Sequence, residues 1–156
     1  MNSYNTQAFH QLEIAIQSVA ELISSIEESE WDTRPTDGKF SIGELVGHIA
    51  LICEADRRIA DGASEKDMSA YYAAAAPVTL QQAKTELIRN FERLQAFYLP
   101  LTEEQLFEPC TSYWGVTYSR YEWLLETLVH VAHHRGQLHA MLVHCLGKQT
   151  DFALFE

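Results

Sequence analysis

The sequence predicts an all-α fold, a four-helix bundle whose helices are joined by long crossover connections. Four long segments carry apolar residues at alternating steps of three and four, the spacing of one buried helix face. Three of these segments open with Ser or Thr followed three residues later by Glu or Gln, the pattern of a capping box. No segment alternates between apolar and polar residues as a strand does. In such bundles, binding sites are commonly built from inward side chains of facing helices.

Length and charge restrict the classes of function. The 156 residues are 47% apolar, enough for one sizeable core, so we expect a single domain over 1–156. There are 22 acidic and 11 basic residues, and the net charge of -11 argues against nucleic acid and membrane partners. The N-terminus lacks a basic region followed by an apolar run, and no apolar stretch of about 18 residues occurs. We therefore expect a soluble, cytoplasmic protein.

The first two helices are predicted from clear apolar stripes. The first stripe covers 9–26 and ends in an acidic run and a loop that contains Pro and Gly. The second helix opens at Ser41, with Glu44 as its capping partner, and its stripe extends to Ile59. His48 lies on this second stripe. A lone histidine in such a place is usually a core residue, so by itself it indicates no site.

A long connection over 61–78 precedes the third helix. It contains Gly, Pro and a run of alanines, so we predict an irregular segment with room for one short helical turn. The third helix begins at Thr79, whose capping partner is Gln82, and extends through Tyr98 before Pro100 ends it. Such a connection suits a bundle with crossovers.

Residues 102–118 are predicted to form a short helical segment and a loop. The Thr-x-x-Gln capping pattern recurs over 102–105, and the segment ends at Pro109. Residues 110–118 are rich in aromatic side chains and are compatible with a pair of strands around Gly115.

The fourth helix carries five of the seven histidines. It opens at Ser119, with Glu122 as capping partner, and is predicted to run for roughly 28 residues toward Gly147. His130 and His134 are about 40° apart around the helix axis and one turn apart along it. Both imidazoles can therefore meet one cation.

The other histidines of this helix are not expected to join the pair. His133 points about 100° away from His134, and His139 falls off the stripe, so both are predicted at the surface or behind a ligand. His144 returns to the stripe but lies about 15 Å further along the axis, too far to share the ion.

Two motifs connect the second and fourth helices. One is Gly-Lys-Phe-Ser-Ile-Gly-Glu-Leu-Val-Gly-His over 38–48, and the other is His-Val-Ala-His-His-Arg-Gly-Gln over 130–137. Over nearly its whole length the chain resembles the DinB family of small bacterial metal-binding four-helix bundles. The resemblance places the metal-binding histidines of the family on His48, His130 and His134. It also implies a homodimer and a small-molecule substrate, and some family members are metal-dependent transferases that use low-molecular-weight thiols.

Three neutral imidazoles suit a catalytic metal. Because neutral ligands do not offset its charge, a zinc ion bound to them would keep its full positive charge. It would also keep an open coordination position, whereas structural zinc sites are closed by four protein ligands. A coordinated water can reach a pKa of about 7 and a coordinated thiol is deprotonated, so the site suits hydrolysis or thiolate transfer. Zinc is the expected metal, and nickel also suits imidazole ligands.

Two classes of function follow from this site. One is a metal-dependent enzyme of the thiol S-transferase or hydrolase type. The other is a non-catalytic protein that stores or senses the metal, or is stabilised by it. An accessible pocket beside the histidines would favour the enzyme.

Four residues near the pair have alternative interpretations. Glu126 is interpreted as an ordinary glutamate at the edge of the stripe, and the alternatives are a general base or a residue that orients a ligand histidine. Gln137 is a candidate hydrogen-bond partner of a ligand. Arg135 is expected to form a salt bridge with a neighbouring helix or a partner subunit, and Gly136 indicates close helix packing.

The three cysteines are predicted to be free thiols, because they are too scattered for a disulfide framework or a Cys-x-x-Cys zinc site. Cys53 and Cys145 are expected to lie away from the histidines. The sequence does not place Cys110, which lies in the aromatic-rich loop.

Overall fold

The structure, a computed structural model, describes residues 3–155 and is helical apart from one small hairpin. Its elements are α1 (Ser3–Ser24), α2 (Ile42–Ala60), α3 (Glu65–Ala75), α4 (Leu80–Tyr98), α5 (Glu103–Leu106), β1 (Pro109–Thr111), β2 (Thr117–Ser119) and α6 (Arg120–Ala140). A 3₁₀ turn (Glu28–Glu30) follows α1, and a π-helical turn (Met141–Cys145) continues α6. None of the described helices is long and apolar enough to cross a membrane.

The four long helices form a bundle, as predicted, and its connectivity includes crossovers. α2 packs mainly on α4 and α6, and α1 packs on the same two helices. Contacts between α1 and α2, and between α4 and α6, are few, so the members of each pair lie diagonally across the bundle. The connections from α1 to α2 and from α4 to α6 therefore cross it. The two sequence motifs, over 38–48 and 130–137, meet at the interface between α2 and α6.

One connected core fills the space between these helices. The predicted stripes supply it, and the following side chains are at most 1% exposed: Leu12, Ile16, Leu45, Ile52, Leu87, Leu94, Leu124 and Leu138. Burial of such side chains stabilises a fold by about 1.5–3 kcal/mol each before the loss of chain entropy. Helix position is thus set mainly by packing rather than by intrinsic propensity.

The prediction for 61–78 is wrong in one respect, because this connection contains an 11-residue helix, α3. Ser64 accepts a hydrogen bond from the Asp67 amide, and the Asp67 carboxylate accepts one from the Ser64 amide. This capping box begins the helix. Met68 is the only buried residue of α3, so no apolar stripe marks the helix in the sequence.

Two of the predicted capping boxes form only in part. Ser119 accepts a hydrogen bond from the Glu122 amide, but no return bond from a Glu122 side chain completes a box. The Thr79 hydroxyl likewise accepts from the Gln82 amide, while the Gln82 side chain accepts from the Val78 amide instead. The helices begin where predicted nevertheless, because the first bond of each cap is made.

The fourth helix is shorter than predicted as a regular α-helix. Its α-helical part ends at Ala140, and a π turn carries the chain to Cys145. Gly147 has φ 65°, a left-handed conformation that glycine adopts without strain. The predicted strand pair around Gly115 is present, with Cys110 opposite Tyr118.

Candidate metal centre

Three imidazoles meet between α2 and α6. His48 lies in the second turn of α2, and His130 and His134 lie in successive turns of α6. The Nε2 atom of His48 is 3.2 Å from Nε2 of His130 and 3.1 Å from Nε2 of His134. One ligand atom from each of the three residues lies within 4.8 Å of the other two. The three side chains named from the family resemblance lie together, and their binding of a metal stays a prediction.

The outer nitrogens of the two α6 histidines are held by neighbouring oxygens. Nδ1 of His130 is 3.1 Å from Oδ2 of Asp56, and Nδ1 of His134 is 2.9 Å from Oε1 of Gln137. Oxygen acceptors require a proton on each Nδ1. In the neutral ring, each Nε2 then presents a lone pair toward His48, the arrangement that metal-binding histidines adopt when a carboxylate or amide orients them.

The spacing of the nitrogens fits a divalent metal. In tetrahedral geometry, zinc–nitrogen bonds of about 2.0–2.1 Å place two ligand nitrogens about 3.3–3.4 Å apart. The observed separations of 3.1 and 3.2 Å are close to this value. Lone pairs on His130 and His134 both point at Nε2 of His48, which can donate at most one proton. A cation shared by the three nitrogens therefore satisfies all of them better than hydrogen bonds among the rings do.

Burial and proximity keep two of the imidazoles neutral. Burial, followed by the neighbouring His134 and His130, lowers the pKa of His48 to about 4. Burial also lowers the pKa of His134. The hydrogen bond to Asp56 raises the pKa of His130, against the effect of its burial. A neutral imidazole is the form that binds metal.

Asp56 and Phe40 are the site residues that sequence reasoning missed. Asp56 is a polar residue two turns beyond His48 on α2, and its side chain is 15% exposed. A carboxylate inside an apolar stripe was the available signal. Phe40 stacks on the His48 ring, with centroids 5.9 Å apart and planes at 19°. This ring precedes the α2 cap, so no helical periodicity marks it.

The remaining histidines of α6 and of the π turn stay outside the cluster, as predicted. His133 is exposed and its ring packs edge-on against His134, with centroids 4.8 Å apart. Nε2 of His139 is 3.2 Å from the Thr150 hydroxyl, and His144 is exposed.

None of the cysteines belongs to the three-imidazole cluster. Cys53 is buried, and burial raises the pKa of its thiol. Burial also raises the pKa of Cys110, whose Sγ is 3.7 Å from the carbonyl oxygen of Ile59. Cys145 is exposed on the π turn.

Within the described chain, the structure contradicts a salt bridge from Arg135 to a neighbouring helix and close helix packing at Gly136. Arg135 is 5% exposed and donates to the Ser18 hydroxyl and the Leu154 carbonyl, at 3.1 and 2.5 Å, rather than to a carboxylate of the described residues. It thus holds the C-terminal segment against α1. A Cβ atom at Gly136 would meet nothing within 4 Å, so no helix of the described chain packs closely there.

Two cavities include histidines of the cluster in their walls. One, of about 210 Å³, includes His130, Asp56 and Glu126 in its wall. The other, of about 410 Å³, includes His48 and Phe40. Glu126 is exposed but faces the first cavity, and burial together with Asp56 raises the pKa of its carboxyl. The histidine cluster is therefore open to small molecules rather than sealed in the core.

The fold and the site define a class of protein, a four-helix bundle with three histidines between two facing helices. The model of the DinB superfamily matches residues 11–138, and the chain belongs to this superfamily. A protein from Exiguobacterium sibiricum assigned to the DinB family has a similar structure, with a TM-score of 0.87 and 35% identity over 99% of each chain.

Two more distant structures share the fold. YfiT from Bacillus subtilis, described as a probable metal-dependent hydrolase with an unusual four-helix bundle topology, is 15% identical with a TM-score of 0.75, over 96% of this chain and 91% of that one. A mycothiol-dependent maleylpyruvate isomerase is 13% identical with a TM-score of 0.66, over 88% of this chain and 63% of that one. No curated protein matches the chain.

Proposed function

We propose that the chain is a metal-dependent enzyme in which His48, His130 and His134 bind one divalent ion, zinc in the first place and nickel as the alternative. The convergence of their Nε2 atoms at 3.1 and 3.2 Å carries this proposal. The fold likeness to a metal-dependent hydrolase and to a mycothiol-dependent isomerase supports it.

The proposed reaction is thiol S-transfer or hydrolysis on a small molecule, with a low-molecular-weight thiol as the favoured partner. A divalent ion on three neutral histidines would act as a Lewis acid that lowers the pKa of a thiol or water. The residues of the chain orient this chemistry. Asp56 and Gln137 hold the Nδ1 protons, Phe40 supports the His48 ring, and the two cavities admit substrate.

The alternative function is a non-catalytic metal protein for storage, sensing or structure. A site closed by a fourth protein ligand would favour it. Among residues 3–155, the cluster of potential ligands contains the three histidines alone. A third of the His130 side chain is exposed to solvent, so the site is accessible and the enzyme is favoured.

Metal content tests the ligand assignment. Protein purified without chelator and reconstituted with zinc should hold one ion per chain, and His134→Ala should lose it. His133→Ala is the matched control, since His133 is the exposed neighbour on the same helix. Absence of stoichiometric zinc or nickel, or full binding by His134→Ala, would contradict the assignment.

Cobalt substitution distinguishes the proposed enzyme from the alternative, a non-catalytic metal protein. Small thiols should add an intense near-ultraviolet charge-transfer band to the cobalt-loaded protein, because three protein ligands leave open positions. His134→Ala should show no band. If several thiols and azide all leave the cobalt spectrum unchanged, the storage or structural function replaces the enzyme.

We further propose that the chain is one domain and forms a homodimer. The connected core that includes all four long helices supports a single domain. Exposed apolar side chains on the outer face of α6 support self-association, with Leu125 38% and Val129 66% exposed.

A further inference from the structure

The cavity beside His130 has an unusual chemical lining. It lies between α2, α3, the hairpin turn and α6, and its volume is about 210 Å³. Two carboxylates, Asp56 and Glu126, belong to its wall. No lysine or arginine of residues 3–155 lines it. Its volume lies below the roughly 300–1,000 Å³ typical of pockets for drug-sized ligands, so it suits a small group.

Aromatic rings form most of the remaining wall. Tyr72 comes from α3, Tyr113 and Trp114 from the hairpin turn, and Trp123 from α6. The two indoles stand at 89° to each other with centroids 6.0 Å apart, and Tyr113 meets Trp114 at 86° and 4.7 Å. Helix α3, distant in sequence, and the neighbouring hairpin turn and α6 thus bring rings of different orientation to one small space.

The polar atom of the most buried ring is already engaged. Trp123 is 4% exposed, and its Nε1 donates a hydrogen bond to the Cys110 carbonyl at 3.1 Å. Its contribution to the cavity is therefore the π system rather than a hydrogen-bond donor. The faces of aromatic rings attract cations, tryptophan most strongly.

We propose that this cavity binds an organic cation, a small alkylammonium group, with the rings around its carbon atoms and Asp56 and Glu126 balancing its charge. Aromatic walls and carboxylates without lysine or arginine disfavour an anion, and the rings favour a cation that carries carbon over a hydrated metal ion. The net charge of -11 acts in the same direction.

This inference extends the proposed function, on which its catalytic meaning rests. His130 belongs both to the cavity wall and to the three-histidine cluster. A ligand whose ammonium group lies in the cavity can therefore place its opposite end beside the proposed metal site. The substrate class would then be a small molecule with an ammonium group at one end and the reacting thiol or electrophile at the other.

Choline and 3,3-dimethyl-1-butanol test the proposal, since they have the same shape and differ in one atom, nitrogen or carbon. Both are titrated into the full-length protein, metal-free and zinc-loaded, and the indole signals of Trp114 and Trp123 are followed by NMR. Trp31 lies in the wall of the other cavity and serves as the internal reference. Choline should bind at least about tenfold more tightly than the alcohol, a difference of about 1.4 kcal/mol.

Two variants locate the binding. Glu126→Gln and Trp114→Leu should each weaken choline binding about fivefold or more and leave the weak binding of the alcohol unchanged. Both side chains are exposed, so the fold should tolerate the changes. Glu92→Gln is the matched control, because Glu92 is an exposed glutamate of α4 and lines no part of this cavity.

Equal affinity for choline and the alcohol, or equal effects of Glu126→Gln and Glu92→Gln, would overturn the proposal. The metal-free titration keeps its outcome separate from the proposed function. If zinc fails to bind the histidines but choline shifts both indoles in metal-free protein, the proposed function is wrong and the cation site stands. If zinc binds and choline does not, the cation site alone is wrong.

Discussion

Asp56 determines which nitrogen of His130 faces the other two imidazoles. Its Oδ2 atom lies 3.1 Å from Nδ1, and this hydrogen bond fixes the tautomer that leaves Nε2 free for a metal. Gln137 does the same for His134 at 2.9 Å. These two side chains prepare the site without touching the point where the three Nε2 atoms converge.

Replacement of Asp56 should weaken metal binding without abolishing it. Asp56→Asn keeps an oxygen acceptor but removes the charge, and loss of such a partner typically lowers metal affinity about 10–100-fold. Competition with a chromophoric chelator measures the change. Asp61→Asn, an exposed aspartate at the end of the same helix, is the control and should bind zinc normally. Equal affinities of the two variants would remove Asp56 from the site.

The stability of the metal-free protein should depend on pH through two opposite pKa shifts, those of His48 and His130. His48 has a pKa of about 4 in the folded chain, below its usual value of about 6.5. Burial of the neutral His48 ring contributes stability that is fully present above pH 6.5. This stability is lost as the pH falls toward 4, because in that range the unfolded chain binds more protons than the folded chain. His130, with a raised pKa, contributes stability below about pH 6.5 that is lost as the pH rises through its folded pKa.

Binding of a metal would add a further dependence of stability on pH, since all three imidazoles must be neutral to coordinate. The melting temperature of zinc-loaded protein should exceed that of metal-free protein at pH 7.5, and the difference should shrink toward pH 5. Thermal melts of both forms at the two pH values measure it. A difference that stays constant would point to carboxylate ligands instead.

At the scale of elements, two of the helical glycines, Gly43 and Gly136, have opposite surroundings. A Cβ atom at Gly43 would lie 2.3 Å from Cε2 of Trp31, and the Gly43 amide also donates to the Trp31 carbonyl at 2.8 Å. Gly43 therefore allows the loop after α1 to pack against α2. At Gly136 a Cβ atom would meet nothing within 4 Å.

These surroundings predict opposite effects of alanine. Gly136→Ala should stabilise the chain by about 0.5–1 kcal/mol, because it raises helix propensity, and the melting temperature should rise by roughly 1–4 °C. Gly43→Ala should destabilise by about 1–3 kcal/mol, since Trp31 must move. Calorimetry of both variants measures the changes in melting temperature and stability. A lower melting temperature for Gly136→Ala would show that Gly136 makes a contact outside its own chain.

At the scale of the whole molecule, the long helices and the pairing of His130 with His134 were predictable from residue spacing, whereas the meeting of His48 with this pair was expected only from the family resemblance. Apolar spacing fixes which helix faces are buried, and two histidines one turn apart must share a face. α3 was not predictable, because Met68 alone anchors it. Asp56 was missed because spacing along one helix does not show which side chain of a facing helix it will meet.

The proposed homodimer and single domain belong to this scale as well. Light scattering should give twice the mass of the chain, and Val129→Glu should yield monomer because it places a charge on the exposed face of α6. Glu92→Gln should stay dimeric. Calorimetry should show one cooperative unfolding transition. A monomeric wild-type protein, or two separate transitions, would contradict these proposals.

X-ray absorption at the zinc edge tests the central claim most directly, because it reports the atoms bound to the metal. Zinc-loaded protein should show three imidazole nitrogens at about 2.0–2.1 Å, with one or two further oxygen or nitrogen neighbours completing the sphere. Addition of a small thiol should bring one sulfur to about 2.3 Å. Four protein ligands in the resting protein, or a spectrum that no thiol changes, would contradict an open three-histidine centre.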